Sequence, residues 1–135
     1  MYLNNIRGKR TFRNVNGKRI DWKTVGKSKF QKTIKDALYP LWASYIVYEE
    51  FPVYGSRLTL DFFNATKMVA IEVQGNQHIK FTPYFHKNEM DFRYQLMKDD
   101  IKQMFCDSNG IKLIQIFTDD LKCGDLTQKL KELGA

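Results

Sequence analysis

The chain has 135 residues, 43% of them hydrophobic and 14% aromatic, which suits one domain with a buried core and excludes extended disorder. No apolar run approaches the roughly 18 residues that cross a bilayer, so no membrane partner is expected. The formal net charge of +7 is uneven: residues 1–35 hold 11 of the 22 Lys and Arg against one acid, Asp21, so this segment is +10 and the other 100 residues sum to −3. Such a basic segment suits a polyanion such as nucleic acid.

The first 27 residues read as a basic arm carrying Arg7, Lys9, Arg10, Arg13, Lys18 and Arg19, with Tyr2, Phe12 and Trp22 interleaved. Asn16-Gly17 is a strong turn signal and predicts a short hairpin there. The opening MYLNNIRGKR lacks the apolar core of a signal peptide, which points to the cytoplasm. Residues 28–135 then read as one domain. Ser28 caps a helix expected to end near Tyr39, before Pro40, with Phe30, Ile34 and Leu38 on one face. Strands follow over 44–50, 58–63 and 68–74, separated by the Gly55-Ser56 turn and by Asn64 to Lys67. The loop NQHIKFTPYFHK leads to a helix over 89–106, a strand over 111–117 and a closing helix over 126–133. The expected fold is therefore mixed α/β, with a three-strand meander and one helical crossover. Cys106 and Cys123 have no metal-type spacing and read as buried or incidental thiols.

Three acids interrupt this pattern. In RLTLDFF, Asp61 faces away from Leu58, Leu60 and Phe62; in MVAIEVQ, Glu72 shares a face with Ala70 and Gln74. Charges at the edge of a core are costly unless they meet cations. Either acid alone could pair with a Lys or Arg at a strand end. Two acids on adjacent strands form an oxygen site of the kind Mg²⁺ takes, with room for water and phosphate. Asp100 falls between Leu96 and Met104 on a stripe that begins at Phe92, with Asp99 on the neighbouring face. Lys102 is either the partner of that acid or a phosphate contact. Alternation does not decide whether Glu50 or Glu49 points inward. His78, just past the strand-ending Gly75, is placed to deprotonate water or hold a phosphate oxygen. The loop with Lys80, His86 and Lys87 mixes charge and aromatics, as a surface facing nucleic acid would.

At these residues the sequence resembles the PD-(D/E)xK nuclease superfamily. Helix-strand-strand-strand-helix-strand is that family's core order, and Asp61 and Glu72-Val73-Gln74 stand where its acid and (D/E)xK elements would be. The finer resemblance is to the branch of very-short-patch repair endonucleases and phage homing endonucleases with an EDxHD-type motif. Glu50, Asp61, His78 and Asp100 read as its ordered Glu, Asp, His and Asp. The resemblance covers about residues 28–117. It implies a restriction-endonuclease-like core and a Mg²⁺-dependent DNA endonuclease, with Mn²⁺ as a substitute ion. Asp61 and Glu72 would hold the metal, with Glu50 as support for a second ion or its water. His78 would activate water, and Asp100 would orient His78 or an outer water. A phage-encoded protein of this kind would work in the host-cell cytoplasm, and one small domain would have to form a homodimer or nick twice to break both strands. The usual lysine slot holds Gln74, which leaves a non-catalytic nucleic-acid-binding module as the alternative. RNA suits the basic arm as well as DNA.

Overall fold

The structure, a computed structural model, describes residues 1–26, 28–74, 89–117, 119 and 124–135. Its centre is a four-stranded sheet of β3 (Val47–Pro52), β4 (Thr59–Asn64), β5 (Val69–Gln74) and β6 (Lys112–Phe117), in that spatial order. The first three strands form the expected antiparallel meander, and β6 runs parallel to β5. A parallel neighbour needs a long crossover, and α2 (Glu89–Ser108) lies within it. Helices α1 (Lys29–Trp42) and α3 (Leu126–Glu132) complete a mixed α/β fold.

Each sheet face is covered by helices. On one, Ile34, Leu38 and Trp42 of α1 and Leu130 of α3 pack on Val47, Phe62, Ile71, Ile114 and Ile116. On the other, Phe105 and Cys106 of α2 pack on Tyr48, Phe63 and Ala70. Fully burying one such aromatic stabilises the fold by about 2–3 kcal/mol. The sheet is thus dry on both sides around its middle, which makes any charge there conspicuous.

Helix α1 departs from expectation twice. It begins as predicted, with Ser28 Oγ accepting the Gln31 N–H at 3.2 Å, but continues through Pro40 to Trp42. Proline removes one helical hydrogen bond; the fully buried Trp42 and the Ala43 N–H donated to Tyr39 O at 3.0 Å hold the last turn regardless. Phe30 is exposed, and Gln31 and Lys35 sit on the buried face with Ile34 and Leu38. Along α2 the expected stripe is also displaced. Leu96, Asp100 and Met104 are exposed, whereas Phe92, Gln95, Asp99 and Lys102 are half-buried and Phe105 and Cys106 fully so. The inward side follows three- and four-residue steps one position away from the predicted row.

The N-terminal segment is folded onto the core. Its hairpin joins β1 (Tyr2–Asn4) to β2 (Arg10–Phe12) through a turn at Asn5–Lys9, whereas Asn16-Gly17 lies in a single 3-10 turn. Asn5 Oδ1 accepts from the Arg7 and Lys9 N–H groups at 2.9 and 3.0 Å, and Gly8 takes the left-handed φ of +81°. That local bonding is the reason the turn forms there. Leu3 and Val15 enter the core beside Tyr54 and Phe105. Ile20 donates its N–H to Val47 O at 3.0 Å, and Arg19 bridges Tyr48, so the chain covers the outer edge of β3. Unpaired edges invite pairing with other chains.

Candidate acidic site

The strand register sets three acids side by side. Pairing of Glu49 with Phe62 and of Phe51 with Leu60 places Glu50 opposite Asp61. Continuing the Phe62–Ile71 pairing by one step places Asp61 opposite Glu72, and Glu72 itself pairs with Gln115. A single row of Glu50, Asp61, Glu72 and Gln115 therefore crosses all four strands. Glu50 adopts φ +54°, a region that costs a non-glycine residue on the order of 1 kcal/mol or more. Alternation breaks there: Phe51 and Leu60 join Tyr48 and Phe63 in the cluster beneath α2.

Hydrogen bonds tie the row together. Gln31, on the first turn of α1, donates from Nε2 to Asp61 Oδ1 at 2.7 Å and to Glu50 Oε1 at 3.1 Å. Glu50 Oε2 accepts from Thr59 Oγ1 at 2.9 Å. Asp61 Oδ2 accepts from the Val73 N–H, and Glu72 Oε1 accepts from the Asp61 N–H, both at 2.8 Å. Lys102 reaches in from α2, its Nζ 2.8 Å from Glu72 Oε2. Asp61 and Glu72 thus fix each other's orientation through strand backbone, at no cost in long flexible side chains.

Their electrostatics are unbalanced. Burial pushes the Glu72 carboxyl up to about 7, helped by the neighbouring Asp61 charge and opposed by Lys102. Burial likewise raises Asp61, the Val73 N–H opposing and Glu50 adding to it. Lys102 lowers the Glu72 carboxyl, but burial and the Asp61 charge outweigh it. Cys106 is raised to about 12, first by burial and then by Glu72, so it is an inert thiol.

The two glutamates that alternation left open are separated by the fold. Glu49 points to the α1 side and meets the buried Lys35 at 2.7 Å, while Glu50 joins the row. Gln74 is buried on β5 and supplies no charge. Asp100 is exposed on α2 and Asp99 half-buried. Arg7, Lys9, Arg10, Arg13, Lys18 and Arg19 are all exposed. His78, Lys80, His86 and Lys87 lie outside the described residues. Gln31 is the member that sequence reading missed: it is uncharged, and its only signal is its place three residues after the Ser28 cap.

Among the described residues, no three His, Cys, Asp or Glu side chains gather as a complete metal cage. Mg²⁺ is ordinarily held by one or two carboxylates plus water and phosphate oxygens. Asp61 and Glu72 have the chemistry for that: hard oxygens, fixed by backbone N–H groups.

The chain is similar to Uncharacterized protein 033L of Invertebrate iridescent virus 3, with 35% identity over 88 residues, 62% of this chain and 44% of that protein. It is 37% identical over 78 residues to Uncharacterized protein 307L of Invertebrate iridescent virus 6, covering 57% and 40% of the two chains. Uncharacterized protein 094L of Frog virus 3 is 39% identical over 66 residues, covering 48% and 43%. The chain spans less than half the length of each of these relatives. No family model matches it, and no solved structure matches it.

Proposed function

We propose that the chain is a Mg²⁺-dependent DNA endonuclease of the PD-(D/E)xK type on a restriction-endonuclease-like core, homing or repair-like, carried by a virus or phage. The observation that carries this reading is the row of Glu50, Asp61 and Glu72 across a sheet buried on both faces. Burial raises both Asp61 and Glu72, Glu72 accepts the Asp61 N–H and Asp61 accepts the Val73 N–H, an arrangement that supports a site rather than plain packing. Viral relatives accord with a viral origin and carry no activity in their names.

Asp61 and Glu72 would hold the ion, which when bound lowers the pKa of water and neutralises phosphate charge. The chain's own groups do the rest. Gln31 holds Asp61 and Glu50 in register with one amide. Lys102 brings from the helix the positive charge that Gln74 does not supply on the strand, 2.8 Å from Glu72. Mutual fixing of this kind keeps the carboxylates oriented without reorganisation during reaction. His78 would take the proton of the attacking water, and Asp100 would orient His78 or an outer water. The exposed basic residues of the N-terminal segment would follow the phosphate backbone, with Lys80, His86 and Lys87 as further contacts, giving affinity that falls with salt.

Supercoiled plasmid and a single-stranded RNA, each incubated with Mg²⁺, Mn²⁺ or EDTA beside Glu72→Ala, test the proposal. Metal-dependent nicks in DNA that vanish in a folded variant support it. Intact DNA across a large mixed library, with salt-sensitive binding retained, would leave the non-catalytic binding module instead.

A further inference from the structure

Tyr2 and Phe12 face each other across the hairpin and point to solvent. They are a register pair, their ring centroids lie 5.0 Å apart, and they are 60% and 57% exposed. Leu3, between them and the turn, faces the core. The next pair on the outer face is Asn4 with Arg10, and the Arg10 guanidinium sits 5.7 Å from the Tyr2 ring centre. Arg7 and Lys9 are exposed at the turn of the same hairpin, Arg13 follows Phe12 with its guanidinium 5.7 Å from the Tyr54 ring centre, and no acid occurs before Asp21. Two exposed aromatic rings beside the Arg10 guanidinium, on a hairpin that carries cations and no acid, match one chemistry well: bases offer π-faces to the rings and phosphates offer charge to the cations.

We infer that the outer face of the β1–β2 hairpin is a stacking platform for unpaired bases, so that the substrate carries a single-stranded segment. Paired bases are stacked on their neighbours and show no face to a side chain, whereas a single strand does. The hairpin tip also lies close to the acidic row's helix. Asn5, Ile6 and Gly8 line a cavity of about 300 Å³ together with Ile101, Met104 and Phe105 of α2. Ile101 is the neighbour of Lys102, so one strand engaged at the hairpin remains near the helix that supports Glu72. This inference rests on the nucleic-acid part of the proposed function and not on cleavage.

The test is binding by the full chain in EDTA to a labelled oligothymidylate and to a blunt duplex of equal length. The variants are Tyr2→Leu/Phe12→Leu, which keeps apolar contact across the hairpin but removes both π-faces, and Tyr2→Trp/Phe12→Trp, which restores them. Wild type should prefer the single strand. The leucine pair should lose about tenfold to a hundredfold in single-strand affinity, the scale of one or two stacked bases, with duplex affinity within about threefold; the tryptophan pair should bind like wild type. Equal affinity of wild type for both probes would overturn the inference, as would a leucine pair that binds single strands normally. A leucine pair that instead splits a dimer on sedimentation, single-strand affinity unchanged, would assign the face to a second copy and overturn it too. Cleavage with Mg²⁺ is scored separately: its absence with platform-dependent binding removes the nuclease and keeps the platform.

Discussion

Two buried lysine–glutamate pairs flank the same sheet, and they are different objects. Lys35 meets Glu49 at 2.7 Å and also donates to Thr24 O and Thr24 Oγ1 at 3.0 and 2.8 Å. All three ammonium donors have an acceptor, and the charges match one for one. Lys102 meets Glu72 at 2.8 Å, but Glu72 stands beside the half-buried Asp61, and the Glu72 carboxyl is driven up to about 7. The first pair closes its own account. In the second, burial and a neighbouring acid outweigh the lysine, and sites that act on ligands are where such perturbed groups are kept.

Breaking the balanced pair should have the largest effect on stability and none on chemistry. Lys35→Ala leaves Glu49 buried without its cation, which costs about 3–5 kcal/mol. Chemical denaturation should show that loss, while cleavage per folded molecule stays within about twofold. The unbalanced pair should respond in the opposite sense. Glu72→Gln removes the charge and keeps the shape, so cleavage should fall at least about a hundredfold, while the melting temperature at pH 8 rises. A drop in melting temperature of the size seen for Lys35→Ala would make both pairs structural.

The same asymmetry appears on titration. The folded protein holds a proton on Glu72 up to about 7, whereas the unfolded chain releases it near the ordinary 4.5. Between those values the folded state binds more protons, so stability falls as pH rises through this window and levels off above it. The loss should be on the order of 1–3 kcal/mol, measured by urea unfolding at pH 5, 6, 7 and 8 in EDTA. Glu72→Gln should flatten that slope, and Lys35→Ala should leave it in place. The smallest effect belongs to Gln31→Ala. Removing the amide shared by Glu50 and Asp61 should cost about 1–2 kcal/mol in the folded state, and cleavage should weaken more than DNA binding does.

Much of the fold was legible because its signals are local and repeated. The order of α1, three strands, α2, β6 and α3 follows from hydrophobic runs and from breaks such as Gly55-Ser56 and Asn109-Gly110. Glu72 was legible for the same reason, since alternation puts it against the grain of an apolar strand; around Asp61 the expected alternation fails, with Leu60 packed in the cluster beneath α2 and Phe62 in the one beneath α1. What failed depends on partners distant in sequence. Glu50 was ambiguous because its +54° backbone breaks the alternation used to orient it. The turn at Asn16-Gly17 is a strong local signal, yet the strands pair around Asn5–Lys9, where Asn5 Oδ1 and Gly8 close the turn and Leu3 and Val15 pack into the distant core. On α2, Leu96 and Met104 marked an apolar stripe that the sheet does not use; the inward residues include Lys102, which a search for apolar periodicity passes over. Gln31 could not be found at all without its acceptors, because nothing in an uncharged amide announces that two carboxylates await it.

Divalent-cation binding by Asp61 and Glu72, as proposed, is tested most directly by thermal unfolding at pH 8 over a Mg²⁺ and Mn²⁺ titration, with wild type beside Asp61→Asn/Glu72→Gln. A cation that binds the folded state alone raises the melting temperature by mass action. The wild type should climb with metal concentration and saturate, and the double variant should start higher in EDTA and stay level. Equal responses of the two proteins, or a variant that melts lower than wild type in EDTA, would contradict the account.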